Sequence, residues 1–203
     1  MITLYDYLDS GNGYKVRLLL ALLGRPFRLI DCDIMQGETR TPEFLAINPN
    51  GKIPALVLED GTALSESGAM LFYLAEGSAY LPDDRLGRAQ VLQWMFFEQY
   101  SHEPNIAVAR FWKKHLEATP EIEAQLPGKM DSGYAALDIM EMRLSGTAWL
   151  AAGRLTIGDI ALYAYTHVAE EGGFDLSRYP AINRWLARIE ELPAYRPITW
   201  RPS

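Results

Sequence analysis

The run Asn48-Pro49-Asn50-Gly51-Lys52-Ile53-Pro54-Ala55-Leu56, followed by Ser65-Glu66-Ser67-Gly68, constrains this chain more than any other stretch. Proline has no N–H and cannot sit inside a central ladder, but it fits at the first residue of a strand. Ile53-Pro54 stands between an Asn50-Gly51 turn and an apolar run, so a strand is expected from Ile53 to Leu58. A cis Ile53–Pro54 bond turns the chain sharply and faces the Ile53 N–H and C=O outward, where a peptide ligand can pair with both. A few residues on, Glu66 and Ser67 open a helix. The N–H groups of that helix start, with the Ser67 hydroxyl, suit a carboxylate, and Glu66 suits an amine. A backbone clamp, a carboxylate site and an ammonium site describe a receptor for a small zwitterionic peptide.

The neighbouring segments supply a frame for this receptor. Ile2 to Leu8 reads as a strand that ends in Asp9-Ser10-Gly11-Asn12-Gly13, a turn cluster whose Ser and Asn suit capping. Tyr14 to Leu23 has helical spacing, with Val16, Leu19, Leu20 and Leu23 on one face, and Gly24 and Pro26 stop it. Phe27 to Ile34 is a second strand containing Cys32, and Pro42 to Ile47 a short helix. Ile53–Leu58 and Ala63-Leu64 form a hairpin around Asp60-Gly61, and Ser65 to Gly77 is the closing helix. The order βαβαββα predicts a thioredoxin-like domain over residues 1–77, with a linker over 78–86.

Strand signals then vanish. Helices are expected over Gln90–His115 with a kink at Pro104, and over Glu121–Leu144, Ile157–Glu171 and Pro180–Leu192. Residues 87–203 therefore read as an all-α domain, its tail with Trp200 lying across the surface, and the whole as an α+β two-domain fold. Thr156-Ile157-Gly158-Asp159 has the spacing of a capping box, with Asp where Glu or Gln is usual.

Composition closes off several function classes. A net charge of −7 argues against a nucleic-acid partner. One cysteine leaves no internal disulfide framework and fits a reducing compartment. No apolar run reaches membrane-spanning length, and Met1-Ile-Thr-Leu-Tyr-Asp6 lacks a signal-peptide pattern, so a cytoplasmic protein without membrane contact is expected. His102, His115 and His167 show no metal-ligand spacing, and no metal is expected.

Asn48–Leu56 with Ser65-Glu66-Ser67 resembles the glutathione-binding signature of the cytosolic glutathione transferases, and Thr156–Asp159 resembles that family's helix-capping motif. The resemblance implies glutathione as co-substrate. Ile53, before the cis Pro54, would pair with its cysteinyl backbone, Glu66 and Ser67 would hold its γ-glutamyl end, and Arg40 or Lys52 its glycyl carboxylate. The thiol would lie at the start of the first helix, where the dipole contributes about half a positive charge. Ser10 stands where bacterial, theta-like and zeta-like members carry Ser or Cys and is the expected thiolate donor. Asn12 resembles the turn of the nu-like, disulfide-reducing members and is a co-donor. Tyr5 and Tyr7 flank Asp6, which takes the place of the tyrosine used by other classes, and so read as core or pocket-wall residues.

An acceptor pocket lined by Tyr7, Tyr100, His102, Ile106, Arg110 and Phe111, closed by Trp112 and Trp200, would take a hydrophobic electrophile. The implied function is attack of the glutathione thiolate on electrophilic small molecules or peroxides. The alternatives are a glutathione-dependent disulfide oxidoreductase and a non-catalytic binding or regulatory protein. A homodimer is also implied, with Met70, Leu71, Leu74, Leu92 and Met95 as its apolar faces.

Overall fold

Along Ile2–Asp6 every second residue is buried, as strand geometry requires, and this strand, β1, lies inside a four-stranded sheet. The computed structural model describes residues 1–202. β2 (Phe27–Asp31) runs parallel to β1, from Ile2↔Phe27 to Asp6↔Asp31. β3 (Ala55–Val57) pairs antiparallel with the other side of β1, and β4 (Ala63–Leu64) antiparallel with β3, giving the order β2-β1-β3-β4. β2 ends at Asp31, so Cys32, expected within the strand, lies just past it. Its N–H still bonds the Asp6 carbonyl at 2.7 Å.

Helix α1 (Gly11–Leu22) begins three residues before the expected Tyr14, because Ser10 and not Asn12 is its cap. Asn12 thereby becomes part of the first turn. α2 (Pro42–Ile47) is capped by Thr41, and α3 (Ser67–Ala75) packs against α1. Leu4, Leu18, Leu19, Leu20, Leu56, Met70, Leu71 and Leu74 are buried in this first unit, which covers residues 1–78. It also includes the tail from Pro193, which the sequence had suggested belongs to the helical domain. The physical reason is a set of buried donors on α1. Arg17 gives hydrogen bonds to the carbonyls of Ile198 and Trp200 at 2.7 and 3.1 Å, and the Tyr14 hydroxyl gives one to that of Arg196 at 2.6 Å. Trp200 lies edge-on to Phe27, with ring centroids 6.1 Å apart.

Residues 79–192 form the second unit, which is helical. The helix expected over Gln90–His115 is two helices, α4 (Arg85–Phe97) and α5 (Glu103–His115), joined by a π turn over Glu98–His102. Pro104 sits in the first turn of α5, where its missing N–H costs nothing, so the break comes before it. α6 (Pro120–Gly146), α7 (Ile157–Thr166) and α8 (Pro180–Glu190) follow. α7 is buried along its whole length and ends before a 3-10 turn over Ala169–Gly172, short of the expected Glu171. Asp159 at its start accepts from Thr156 N and Oγ, Leu150 N and Trp185 Nε1 at 2.9–3.1 Å. Among the described residues no helix is long and apolar enough to cross a membrane.

Met70, Leu71, Leu74 and Met95, expected to face a second copy, are core residues. Among the described residues, the large apolar side chains that the helical unit exposes are Leu86, Phe96, Tyr100, Leu116, Ile139 and Met142, and Ile139 and Met142 line a cavity of about 350 Å³ with Trp94 and Phe97.

Within this unit the His167 ring stacks on Tyr163 at 4.6 Å, with Nδ1 2.9 Å from the Tyr163 carbonyl oxygen. Burial pulls His167 down to about 4. The unfolded residue binds a proton near pH ~6.5, and the folded one only near 4. This group's contribution is therefore present above pH ~6.5 and is lost as the pH falls towards 4, about 3 kcal/mol in all. Unfolding in denaturant at several pH values should show a shallower acid loss for His167→Gln than for wild type, and equal slopes would contradict the assignment.

Candidate functional site

The strand register gathers the expected site residues of the first unit at one edge of the sheet. β1 ends there, leading to Ser10 and α1. β3 begins there, at Ala55 opposite Tyr5, and β4 ends there, at Leu64 opposite Leu56, leading to Glu66 and α3. The Ile53–Pro54 bond is cis. The ladder stops at Ala55, so Ile53 lies outside it. The Ile53 side chain packs with Cys32, Phe44 and Ala55 and anchors the turn.

Ser10 closes the β1–α1 turn. Its N–H bonds the Tyr7 carbonyl at 2.8 Å, and its Oγ accepts weakly from Gly13 N at 3.5 Å, which leaves the hydroxyl proton to donate elsewhere. Tyr7 is half-buried in this turn. Asn12, in the first turn of α1, joins the two helix starts. Its Oδ1 accepts from Ser67 Oγ at 3.3 Å and from the buried Lys15 Nζ at 2.7 Å.

Below this turn Asp6 is fully buried, with Oδ2 2.7 Å from Arg17 Nε and Oδ1 unpartnered among the described residues. Burial pushes Asp6 up to about 6 against the pull of Arg17. A Cβ on Gly13 would fall inside the Asp6 carboxylate, so only glycine lets α1 come this close to β1.

The second wall is built by Asn48. It is buried, its Nδ2 donates to the Lys52 carbonyl at 2.6 Å, and its Oδ1 accepts from Asn50 N at 3.1 Å. Gly51 has φ +62° and abuts the Arg40 guanidinium, whose Nη1 reaches the Asn50 carbonyl at 3.3 Å. Arg40 and Lys52, both exposed, thus flank one turn with positive charge. Glu66 is exposed at φ 66°, ψ 112°, a strained conformation for a residue with a side chain, and Ser67 beside it is buried at the first position of α3. Cys32 takes no part: burial, with Glu38, Asp31 and Asp6 nearby, pushes its thiol up to about 11.

The remaining expected site residues belong to the helical unit, and packing accounts for three of them. His102 is buried with Nε2 2.9 Å from Thr166 Oγ1, Ile106 is fully buried, and Arg110 is buried against Glu171 at 2.8 Å. Phe111 is half-exposed and packs on His115, with ring centroids 5.3 Å apart, while Tyr100 is 87% exposed. Among the described residues no cluster of His, Cys, Asp and Glu could hold a metal ion.

Residues 1–76 match the family model for the glutathione S-transferase N-terminal domain, and residues 100–193 that for its C-terminal domain. The chain belongs to the glutathione S-transferase family. It is similar to a glutathione S-transferase structure from Pseudomonas fluorescens at 53% identity and TM-score 0.95, covering 97% of this chain and 98% of that one. It is 33% identical to the disulfide-bond oxidoreductase YfcG of Escherichia coli, over 96% of this chain and 92% of the relative. A structure of Ure2p in complex with glutathione superposes with TM-score 0.87 at 26% identity, over 95% and 90% of the two chains.

In this glutathione S-transferase domain, residues the motif reading passed over hold the site in shape: Asn48, Lys15 and the Asp6–Arg17 pair. Asn48 had a legible signal, since Asn before a Pro-Asn-Gly turn favours a side-chain bond to its own backbone. Lys15 and Arg17 had none beyond being charged positions in an apolar helix. Two substitutions separate strain from scaffold here. Glu66→Gly relieves the positive φ and should raise stability by about 1 kcal/mol. Asn48→Ala strands the Lys52 carbonyl and Asn50 N–H and should cost about 1–3 kcal/mol. Chemical unfolding measures both, and a destabilised Glu66→Gly variant would show that Glu66 serves the fold.

Proposed function

We propose that the chain is a glutathione-dependent enzyme that binds reduced glutathione at this sheet edge and holds its sulfur as thiolate at the start of α1. The Asn12–Ser67 hydrogen bond carries the reading, because it joins the two helix starts beside the cis Ile53–Pro54 turn. Glutathione then fits end to end. Its cysteinyl backbone pairs with Ile53, its γ-glutamyl carboxylate meets Ser67 and the α3 N–H groups, and its amine meets Glu66. Its glycyl carboxylate lies towards Arg40 and Lys52. The strain at Glu66 supports this, since strained backbone persists where function requires it. The glutathione in the Ure2p complex supports the choice of ligand.

The first reaction read from the site is conjugation. The thiolate attacks an electrophilic carbon, a C–S bond forms, and the leaving group departs with its electron pair. Ser10 and Asn12 donate to the sulfur, and the α1 dipole favours its negative charge. The likeness to YfcG favours a second reading, in which the thiolate attacks a mixed disulfide and expels the other sulfur as thiolate. Ser10 is not Cys and the Cys32 thiol is held protonated, so all three sulfurs in that exchange (attacking, attacked and expelled) belong to small molecules. The acceptor in this reading is an apolar electrophile. A homodimer is part of the proposal, with the exposed Phe96, Tyr100, Ile139 and Met142 as its apolar surface.

Rates with an aryl halide, a peroxide and a glutathione mixed disulfide test the reading. Ser10→Ala should slow the favoured reaction about ten- to a hundredfold at neutral pH, the effect of one hydrogen bond to a charged group, and much of the loss should return at high pH. Binding of glutathione without turnover of any class would instead identify a binding protein.

A further inference from the structure

A cavity of about 780 Å³ opens at the end of α1 that lies away from the thiol site, and its lining belongs entirely to the first unit. Small-molecule sites commonly enclose roughly 300–1,000 Å³. Three segments each bring an arginine to it: Arg25 from the turn after α1, Arg28 from the edge strand β2, and Arg196 from the tail. Each has an ordinary explanation when taken alone. A cation after a helix end meets the dipole, and a charge on an edge strand blocks sheet pairing. Gathered around one cavity, they are out of character for a chain of net charge −7. No carboxylate lines the cavity, and among the described residues none of the three arginines forms an ion pair. Asp31, on β2 itself, is held by Arg201 at 2.6 Å, and Arg196 turns one donor back on the Tyr195 carbonyl at 2.7 Å.

The rest of the wall is apolar and aromatic, with Pro26, Phe27 and Trp200. Trp200 is half-buried, edge-on to Phe27 and with the Arg196 guanidinium carbon 5.9 Å from its ring centroid. This wall is held in place from below. Arg17 fixes the Ile198 and Trp200 carbonyls, and the Tyr14 hydroxyl fixes that of Arg196. A preformed wall lowers the cost of ordering a site around its ligand. Guanidinium forks match phosphate oxygens two at a time, and both an indole and a guanidinium plane pack flat against an aromatic ring. We propose that this cavity is a ligand site separate from the thiol site, taking a small aromatic phosphate of nucleotide type. Its ring packs against Trp200 and Pro26, and its phosphate lies among Arg25, Arg28 and Arg196. The 12 residues of α1 rise about 1.5 Å each, so the cavity lies one helix length, about 18 Å, from Ser10. The cavity can therefore fill whether or not glutathione is the co-substrate at the other end.

Calorimetry on the full chain with adenosine diphosphate and with phenyl phosphate tests this, with adenosine and inorganic phosphate as the half-ligands. Saturable binding is expected for the two aromatic phosphates, and binding at least about tenfold weaker for each half-ligand. Arg25→Gln and Arg28→Gln change exposed side chains, so both proteins should fold as wild type does. Each should weaken adenosine diphosphate about ten- to a hundredfold, the effect of one hydrogen bond to a charged group. In wild type the Trp200 indole N–H signal in nitrogen-15 NMR, assigned through Trp200→Phe, should move on adding adenosine diphosphate. Saturating S-methylglutathione should leave that shift in place. No saturable binding of either aromatic phosphate at millimolar concentration would overturn the proposal. So would unchanged affinity in the double variant Arg25→Gln, Arg28→Gln, or a Trp200 signal that stays still while adenosine diphosphate binds. Inorganic phosphate that binds as tightly as adenosine diphosphate would overturn the assignment of an aromatic ligand.

Discussion

One buried guanidinium holds the first unit in its shape. Arg17 pairs with Asp6 at the end of β1, donates to the Leu8 carbonyl in the following turn at 2.6 Å, and reaches two carbonyls of the tail. A planar fork with five donors can serve strand, turn and tail at once, which a lysine could not. A buried ion pair is weak evidence for net stability, because removing both charges from water offsets their attraction. Its effect here is positional. It sets the height of α1 over β1, and glycine at 13 is the adjustment that permits the approach. The start of α1, and with it Ser10 and Asn12, stands where Arg17 and Gly13 allow.

From that constraint the chemistry follows by proximity. Two helix starts brought together concentrate unpaired N–H groups, and both suit anions. The Asn12–Ser67 bond fixes their spacing, and the turn held by Asn48 sets a peptide-sized edge opposite. No group in this set is a strong base or a metal ligand. In the function proposed above, such a site would stabilise charge on a bound molecule, and a thiolate is the nucleophile that such stabilisation makes available near neutral pH.

What could be read from the sequence is what backbone chemistry constrains. Pro54, the Asn50-Gly51 and Asp60-Gly61 turns, the Ser10 cap and the Thr156–Asp159 box each follow from a missing N–H, a positive φ or an orphan donor, and each marks an element that is present. Helical spacing was less informative. It marks a face without saying what covers it, so it leaves Met70, Leu71, His102 and Arg110 open to interface or pocket roles, and in the fold all four are buried within their units. The tail and Lys15 were illegible for a different reason. Their partners are side chains and carbonyls that only the folded chain brings near, and the π turn ahead of Pro104 depends on packing in the same way.

The central claim is that this edge takes glutathione as thiolate. Calorimetric titration of glutathione into the protein at neutral pH, in buffers of differing ionisation enthalpy, tests it most directly. Free thiols titrate near pH ~8.5, so a site that holds the thiolate has to expel a proton on binding. The account predicts saturable binding with close to one proton released per site, falling towards zero as the pH is raised through the free thiol's range. Binding without proton release at pH 7, or no binding at all, would contradict it.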